Sequence, residues 1–254
     1  MKILVTNDDG IEAPGLAALT DALRGLGDLL VIAPDRPRSA SSHAISLREP
    51  LFLERVSLLG DAEAYASNGT PPDCVALGLS RAGEERLDLV VSGINQGANL
   101  GEDLAYSGTV AAAAEAAICG IPSFAVSVAA WSEPDFRPAA AFARYLSQIV
   151  LERGLPPESF LNVNVPNLSA AQITGVAITR QGRFGDTNRL ERGLHEGRET
   201  YRWVLKSDLG HRGQPESDIE AIAENNISVT PVRLDRTDTN LLEKLPDWSL
   251  RWPA

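Results

Sequence analysis

Three short runs of apolar and β-branched residues, each ended by polar residues or by proline, limit this chain's choices more than any other feature. They are Ile3–Thr6 (ILVT), Asp28–Ala33 (DLLVIA) and Leu87–Val91 (LDLVV). Runs of that length with almost no polar interruption suit strands covered on both faces, as in a parallel sheet between helices. Between the first two, Pro14 and Gly15 lead into leucines at helical spacing (Leu16, Leu19, Leu23, Leu26), so a strand-helix-strand unit opens the protein. A right-handed crossover makes the second strand parallel to the first and brings the loops after both strands to one edge of the sheet.

The same grammar continues downstream. Thr70 as N-cap and Pro71 at the first position start a helix over Cys74–Arg81, and Val110–Ile118 reads as an Ala-rich helix. Ser123–Val128 is a strand and Phe136–Leu151 an amphipathic helix. Ala44–Ala66 breaks into short alternating segments separated by Pro50 and Gly60, the pattern of antiparallel strands in a hairpin at the sheet edge. Beyond Pro156-Pro157 the character shifts. Phe160–Val165 (FLNVNV) and Thr174–Thr179 alternate polar with apolar residues and read as strands with one solvated face. Arg180–Arg202 is highly charged and reads as an exposed arm or hairpin, in which His195, like His211 further on, is expected to face solvent. Pro215–Asn225 contains a helix, Ile227–Val232 a strand, and a short helix from Leu241 precedes a tail in which Trp248 and Trp252 are expected to pack down the C-terminus. The expected class is α/β with a mostly parallel sheet, a core over 1–155 and a smaller β-rich portion over 156–254.

Composition narrows the partners. A chain of 254 residues, 44% hydrophobic and 22% charged, suffices for one large α/β domain or a domain with an appendage. A net charge of −11 argues against a nucleic-acid polymer, which needs clustered Lys and Arg, but leaves room for a small phosphorylated substrate whose charge a metal ion offsets locally. Cys74 and Cys119 lack metal-ligand spacing and are expected to be buried free thiols, which suits a reducing cytoplasm. The N-terminal apolar run is too short for a signal peptide, and Val110–Trp131 is broken by Glu115, Gly120 and Pro122, so no membrane association is expected.

Four polar loops carry the candidate chemistry. Asn7-Asp8-Asp9-Gly10 follows the first strand, at the sheet edge where open α/β folds bind ligands. Two adjacent carboxylates there call for a cation or a good donor set, and a hard divalent ion is the economical answer, although Asn, Asp and Gly are equally ordinary turn residues. Asp35–His43 (DRPRSASSH) emerges on the same edge with hydroxyls and guanidinium groups suited to a metal-held phosphate. Ser67–Asp73 forms a polar turn whose N-H groups could hold an anion or simply start a helix. Ser92–Gly101 follows the third strand; its glycines allow close backbone approach and its asparagines can ligate a hard cation without adding charge, but it is neither a P-loop nor a GxGxxG motif. Ser107 and Thr109, before the Ala-rich helix, stand either as a helix cap or as phosphate holders.

Taken in order, NDDG at 7–10, RPRS at 36–39, NGTPPDC at 68–74, SGINQGANLGEDLAYSGTVAAAAE at 92–115 and ISVTP at 227–231 resemble the SurE family, the survival-protein 5'/3'-nucleotidases. The resemblance implies a Rossmann-like three-layer α/β sandwich with a smaller C-terminal portion and an exposed arm, assembled as a homodimer or homotetramer by exchange of C-terminal elements. It implies one divalent cation per subunit, Mg²⁺ or Mn²⁺, held by Asp8, Asp9, Ser39 and Asn95. The implied activity is hydrolysis of nucleoside monophosphates and other small phosphate esters, including 3'-nucleotides and short polyphosphate. Ala40 stands where the family usually has Gly, and the arm has no motif that aligns. Phosphoryl chemistry then assigns Asp8 and Asp9 to the ion, and the remaining phosphate oxygens to N-H groups around Gly97 and Ala98 with Ser107 and Thr109. Asp103 and His43 are the candidates for general acid, and direct attack by an Asp stays open beside attack by water. A receiver-type signalling domain or a non-catalytic nucleotide-binding module would use the same acidic crevice; the receiver would need an Asp at the end of the third strand, where this chain reads Ser92-Gly93-Ile94-Asn95.

Overall fold

The computed structural model describes residues 1–57, 62–184, 188–205 and 215–252. In chain order these form β1 (Lys2–Thr6), α1 (Pro14–Leu23), β2 (Asp28–Pro34), β3 (Leu53–Arg55), β4 (Glu63–Ser67), α2 (Pro71–Ala82), β5 (Leu89–Gln96), a 3-10 turn (Gly101–Ala105), α3 (Gly108–Ile118), β6 (Ser123–Ala129), α4 (Phe136–Arg153), β7 (Ser159–Pro166) and β8 (Gly175–Ile178). Then follow β9 (Asn188–His195), β10 (Arg198–Leu205), α5 (Asp218–Ala223), β11 (Asn226–Arg233), α6 (Thr239–Lys244) and a closing 3-10 turn.

Nine strands form one sheet in the order β3-β4-β2-β1-β5-β6-β7-β11-β8. Pairing is parallel from β4 through β7 and again between β11 and β8, and antiparallel for β3 with β4 and β7 with β11. The chain builds outward from β1 through β2 to β4, returns to β5 on the other side of β1, and builds outward again. The crevice between the ends of β1 and β5 is therefore the topological switch point, where open α/β sheets bind ligands.

Alternation along the strands makes the three layers. Ile3, Val5, Val31, Leu89 and Val91 pack into a core with Leu16 and Leu19 of α1 and Ala143 and Leu146 of α4. Leu4, Leu30, Ile32 and Val90 face the other way, onto Cys74 and Val75 of α2 and Ala112 and Ala116 of α3. Thr70 does cap α2, in a reciprocal capping box with Asp73. The helix-to-strand turns at the opposite edge contain Gly25, Gly83, Gly120 and Gly154, each at positive φ with open space where a side chain would project. Among the described residues, no helix is long and apolar enough to cross a membrane.

Several expectations change. The strand expected at Leu87–Val91 runs on to Gln96, so Asn95 lies on β5 itself. Of the alternating segments in 44–66, only β3 and β4 are strands; Ala44–Leu47 is irregular, and Gly60 lies outside the described residues. FLNVNV has no solvated face: Asn162 and Asn164 are fully buried because the Asn99 loop lies over them, with α3, α4 and α5 packed against β7. Cys74 is buried, but Cys119 is exposed because α3 ends just before it. Trp248 and Trp252 do not pack down the tail; they are exposed. The arm is a two-stranded hairpin, β9 with β10, on which His195 is exposed as expected, while His211 lies outside the described residues.

Candidate functional site

Asp8 and Asp9 leave the end of β1 at the switch point. Asp8 is buried, and its carboxylate is gripped by one residue a hundred positions away: the Thr109 hydroxyl donates to Oδ1 and the Thr109 N-H to Oδ2 at 3.2 Å. The Thr109 N-H belongs to the first turn of α3, whose positive dipole end favours an anion there. Close approach makes this possible. A methyl group on Gly108 would lie 3.0 Å from Asp8 Cβ and 2.8 Å from Ser41 Oγ, so only glycine lets α3 start this near the carboxylate.

Burial pushes the Asp8 carboxyl up to about 6, against the pull of the Thr109 hydroxyl and with the Asp9 charge adding to the rise. Asp9 is also pushed up by burial, while its Oδ2 accepts the Gln96 N-H at 3.1 Å and so bridges the ends of β1 and β5. Two neighbouring carboxylates held in partial burial with neutral donors only are short of positive charge. A bound cation would supply it.

The other two implied ligands lie on the loop after β2 (Ser39) and near the end of β5 (Asn95). Arg38 N-H donates to the Asp8 carbonyl at 2.7 Å and anchors the loop that carries Ser39, an exposed residue with no hydrogen bond among the described residues. Its neighbour Ala40 adopts φ +54°, a left-handed conformation that explains why glycine suits this position. The Asn95 Nδ2 donates to the Gly97 carbonyl at 2.7 Å, which fixes the amide plane and leaves Oδ1 without a donor among the described residues. Among the described residues no three His, Cys, Asp or Glu side chains cluster as a metal group. The implied set, two carboxylates with neutral oxygens from Ser39 and Asn95, is all hard oxygen, which fits a hard divalent cation. Ser41 Oγ, near Asp8 across Gly108, is buried without a hydrogen-bond partner among the described residues.

The expected phosphate holders fare unevenly. The Gly97 N-H is taken by the Val128 carbonyl at 3.1 Å, and Thr109 is committed to Asp8, so in this structure neither presents a free donor. Ser107 caps α3 by accepting the Val110 N-H at 3.1 Å. The Ala98 N-H keeps no partner among the described residues and stays available. His43, expected as a possible general acid, is paired through Nε2 with Glu115 at 2.7 Å and holds the loop against α3. Asp103 stands on the 3-10 turn with no hydrogen bond to its carboxyl among the described residues; burial and the charges of Glu102 and Asp218 push that carboxyl up to about 6.

Positioning residues were the ones sequence reasoning missed. The Asn99 peptide is clamped from the neighbouring strands: its N-H donates to Asn164 Oδ1, its carbonyl accepts from Asn162 and Asn164, and its side chain reaches Ser127 Oγ at 2.8 Å. Asp218, fully buried, accepts the N-H groups of Gly101 and Gly182 and so ties α5 and the root of the arm to the loop behind the site. The alternating Asn in FLNVNV was the available signal, visible only as a strand pattern. Asp218 offered none beyond a helix start.

Residues 3–187 match the family described as Survival protein SurE. The chain is 45% identical over 251 residues to a 5'-nucleotidase SurE of Geobacter sulfurreducens, covering 98% of this chain and 94% of that one. It is 46% identical over 256 residues to another 5'-nucleotidase SurE, of Syntrophotalea carbinolica, with 99% of each chain covered. The crystal structure of the Sure protein from Aquifex aeolicus matches with a TM-score of 0.87 at 37% identity, covering 98% of this chain and 100% of that one.

Proposed function

The chain belongs to the SurE family, and from that premise we propose that it is a divalent-metal-dependent 5'-nucleotidase, releasing inorganic phosphate from nucleoside monophosphates. The observation that carries the reading is the Asp8–Asp9 pair at the switch point, with Asp8 buried and gripped by the start of α3. A signalling receiver is disfavoured because β5 offers Asn95 where that chemistry needs a phosphate-accepting Asp.

Asp8, Asp9, Ser39 and Asn95 would hold the cation. The chemistry such an ion supplies is charge stabilisation on the phosphoryl oxygens and a lowered pKa for an attacking water. Thr109 keeps Asp8 fixed and ionisable, and Gln96 does the same for Asp9. The Ala98 N-H, which has no partner among the described residues, would donate to a phosphate oxygen, while Ser107 and Thr109 act behind it by capping α3 and holding Asp8. Asp103, protonated to about pH 6, is the better placed of the two acid candidates, since His43 is already paired. The same site would accept 3'-nucleotides and short polyphosphate. The free thiols Cys74 and Cys119 agree with a cytoplasmic setting, and the uncovered arm with a homodimer or homotetramer.

The test is phosphate release from a panel of nucleoside monophosphates after chelation and re-addition of Mg²⁺ or Mn²⁺. Restored turnover in the wild type, together with weakened metal binding and at least ~100-fold less activity in Asp8→Asn, is expected. Absence of release with every cation and every nucleotide would sink the proposal.

A further inference from the structure

We propose that Trp131 is the platform on which the substrate's nucleobase stacks, which makes it a specificity-determining residue for the hydrolase reading above, on which the inference rests. Trp131 is 75% exposed, yet it is not a loose surface side chain. A tight turn after β6, with the Ala130 N-H on the Val128 carbonyl at 2.8 Å, brings the chain over the carboxyl edge of the sheet. There the Trp131 carbonyl accepts the Gln96 Nε2 at 2.9 Å. The backbone N-H of the same Gln96 holds Asp9, so the indole is linked through one residue to the acidic pair.

The ring itself rests on Gly97. A methyl group there would lie 3.3 Å from Cζ3 and 3.5 Å from Cε3 of Trp131, so the benzo edge sits on a glycine and the rest of the indole is open. A large apolar ring held in place but left uncovered beside a polar crevice is the arrangement of a ligand-binding wall and not of a core residue. Asn95, an implied metal ligand, and Gly97, beneath the indole, are two residues apart at the end of β5, so the uncovered ring borders the implied metal site.

The chemistry fixes what the platform selects. An indole face stacks on any base, because every base has a π-face, and stacks more strongly on the larger purines. AMP and GMP are therefore expected ahead of CMP and UMP, and all four ahead of ribose 5-phosphate, which has the same phosphate and sugar but no base. Because the base is remote from the reacting bond, the gain should lie mainly in KM.

The experiment compares kcat/KM for AMP and for ribose 5-phosphate in the full-length, metal-loaded wild type, Trp131→Leu and Trp131→Phe. The AMP to ribose 5-phosphate ratio should fall roughly 5- to 100-fold in Trp131→Leu, through KM, and recover in part in Trp131→Phe, which keeps an aromatic face. In parallel, AMP should quench tryptophan emission in the wild type and not in Trp131→Phe. An unchanged ratio in Trp131→Leu, or quenching that survives in Trp131→Phe, overturns the platform. If the wild type hydrolyses neither ester, the hydrolase reading fails by itself and the emission difference alone decides the platform.

Discussion

Ala40 shows how a single backbone angle at the site can be tested. Its φ of +54° costs an L-residue about 1–2 kcal/mol, whereas glycine there costs about 0.5–1 kcal/mol more chain entropy. Strain wins, so Ala40→Gly is expected to stabilise the protein by up to about 1 kcal/mol in urea unfolding; equal or lower stability would show that the loop relaxes without glycine. Asp103 makes a different prediction. A general acid works only while it holds its proton, so with its carboxyl pushed up to about 6, kcat/KM should decline as pH rises through that value. Asp103→Asn should be slow at every pH and lack that limb, and retention of the limb in the variant would assign it elsewhere. At this scale the position of Asp8 and Asp9 beyond the first buried strand was legible, because it is a local fact of the sequence. Thr109 stood out too, but as a helix cap or a phosphate holder; only the fold brings its hydroxyl across to Asp8.

The start of α3 is built to come close, and Gly108 is the residue that allows it. Gly108→Ala would gain about 1 kcal/mol of intrinsic helix propensity but would force Asp8 and Ser41 apart by several tenths of an ångström. Metal affinity, read by calorimetry with Mn²⁺, should drop at least ~10-fold while far-UV circular dichroism stays native. On the other side of the crevice, Asp218→Ala strips the Gly101 and Gly182 N-H groups of a buried, charged acceptor. A loss of about 2–4 kcal/mol of stability is expected, and a loss under 1 kcal/mol would mean that water takes the place of the carboxylate. Element existence was legible here because buried parallel strands and capped helices are written in local periodicity. The role of β7 was not: alternating Asn and Val look solvated unless one knows what lies over the polar face, and only the tertiary fold puts the Asn99 loop on Asn162 and Asn164.

For the whole molecule, the hairpin of β9 and β10 is the part that cannot stand alone. Strand alternation and the pairing of Leu190 with Trp203, Arg192 with Tyr201 and Leu194 with Glu199 put Leu190, Leu194, Tyr201 and Trp203 on one face, all of them more than half exposed. An isolated two-stranded hairpin is marginal in water, and an apolar face of this kind asks to be covered. Leu194→Glu with Trp203→Glu should convert the proposed dimer or tetramer to monomer in light scattering; an unchanged mass would move the interface elsewhere. The charge and glycine content of the segment revealed an arm, but not which face needs a partner. The sheet has a second consequence. The loops that hold the candidate site lie at the carboxyl ends of β1, β2, β5 and β6, while the turns through Gly25, Gly83, Gly120 and Gly154 lie at the far edge with open space around them. Chemistry and connectivity are thus assigned to opposite rims of one slab. The far rim is where a reporter domain, a surface tether or a new pair of chain ends can be grafted, because none of the loops of the candidate site is wired through it.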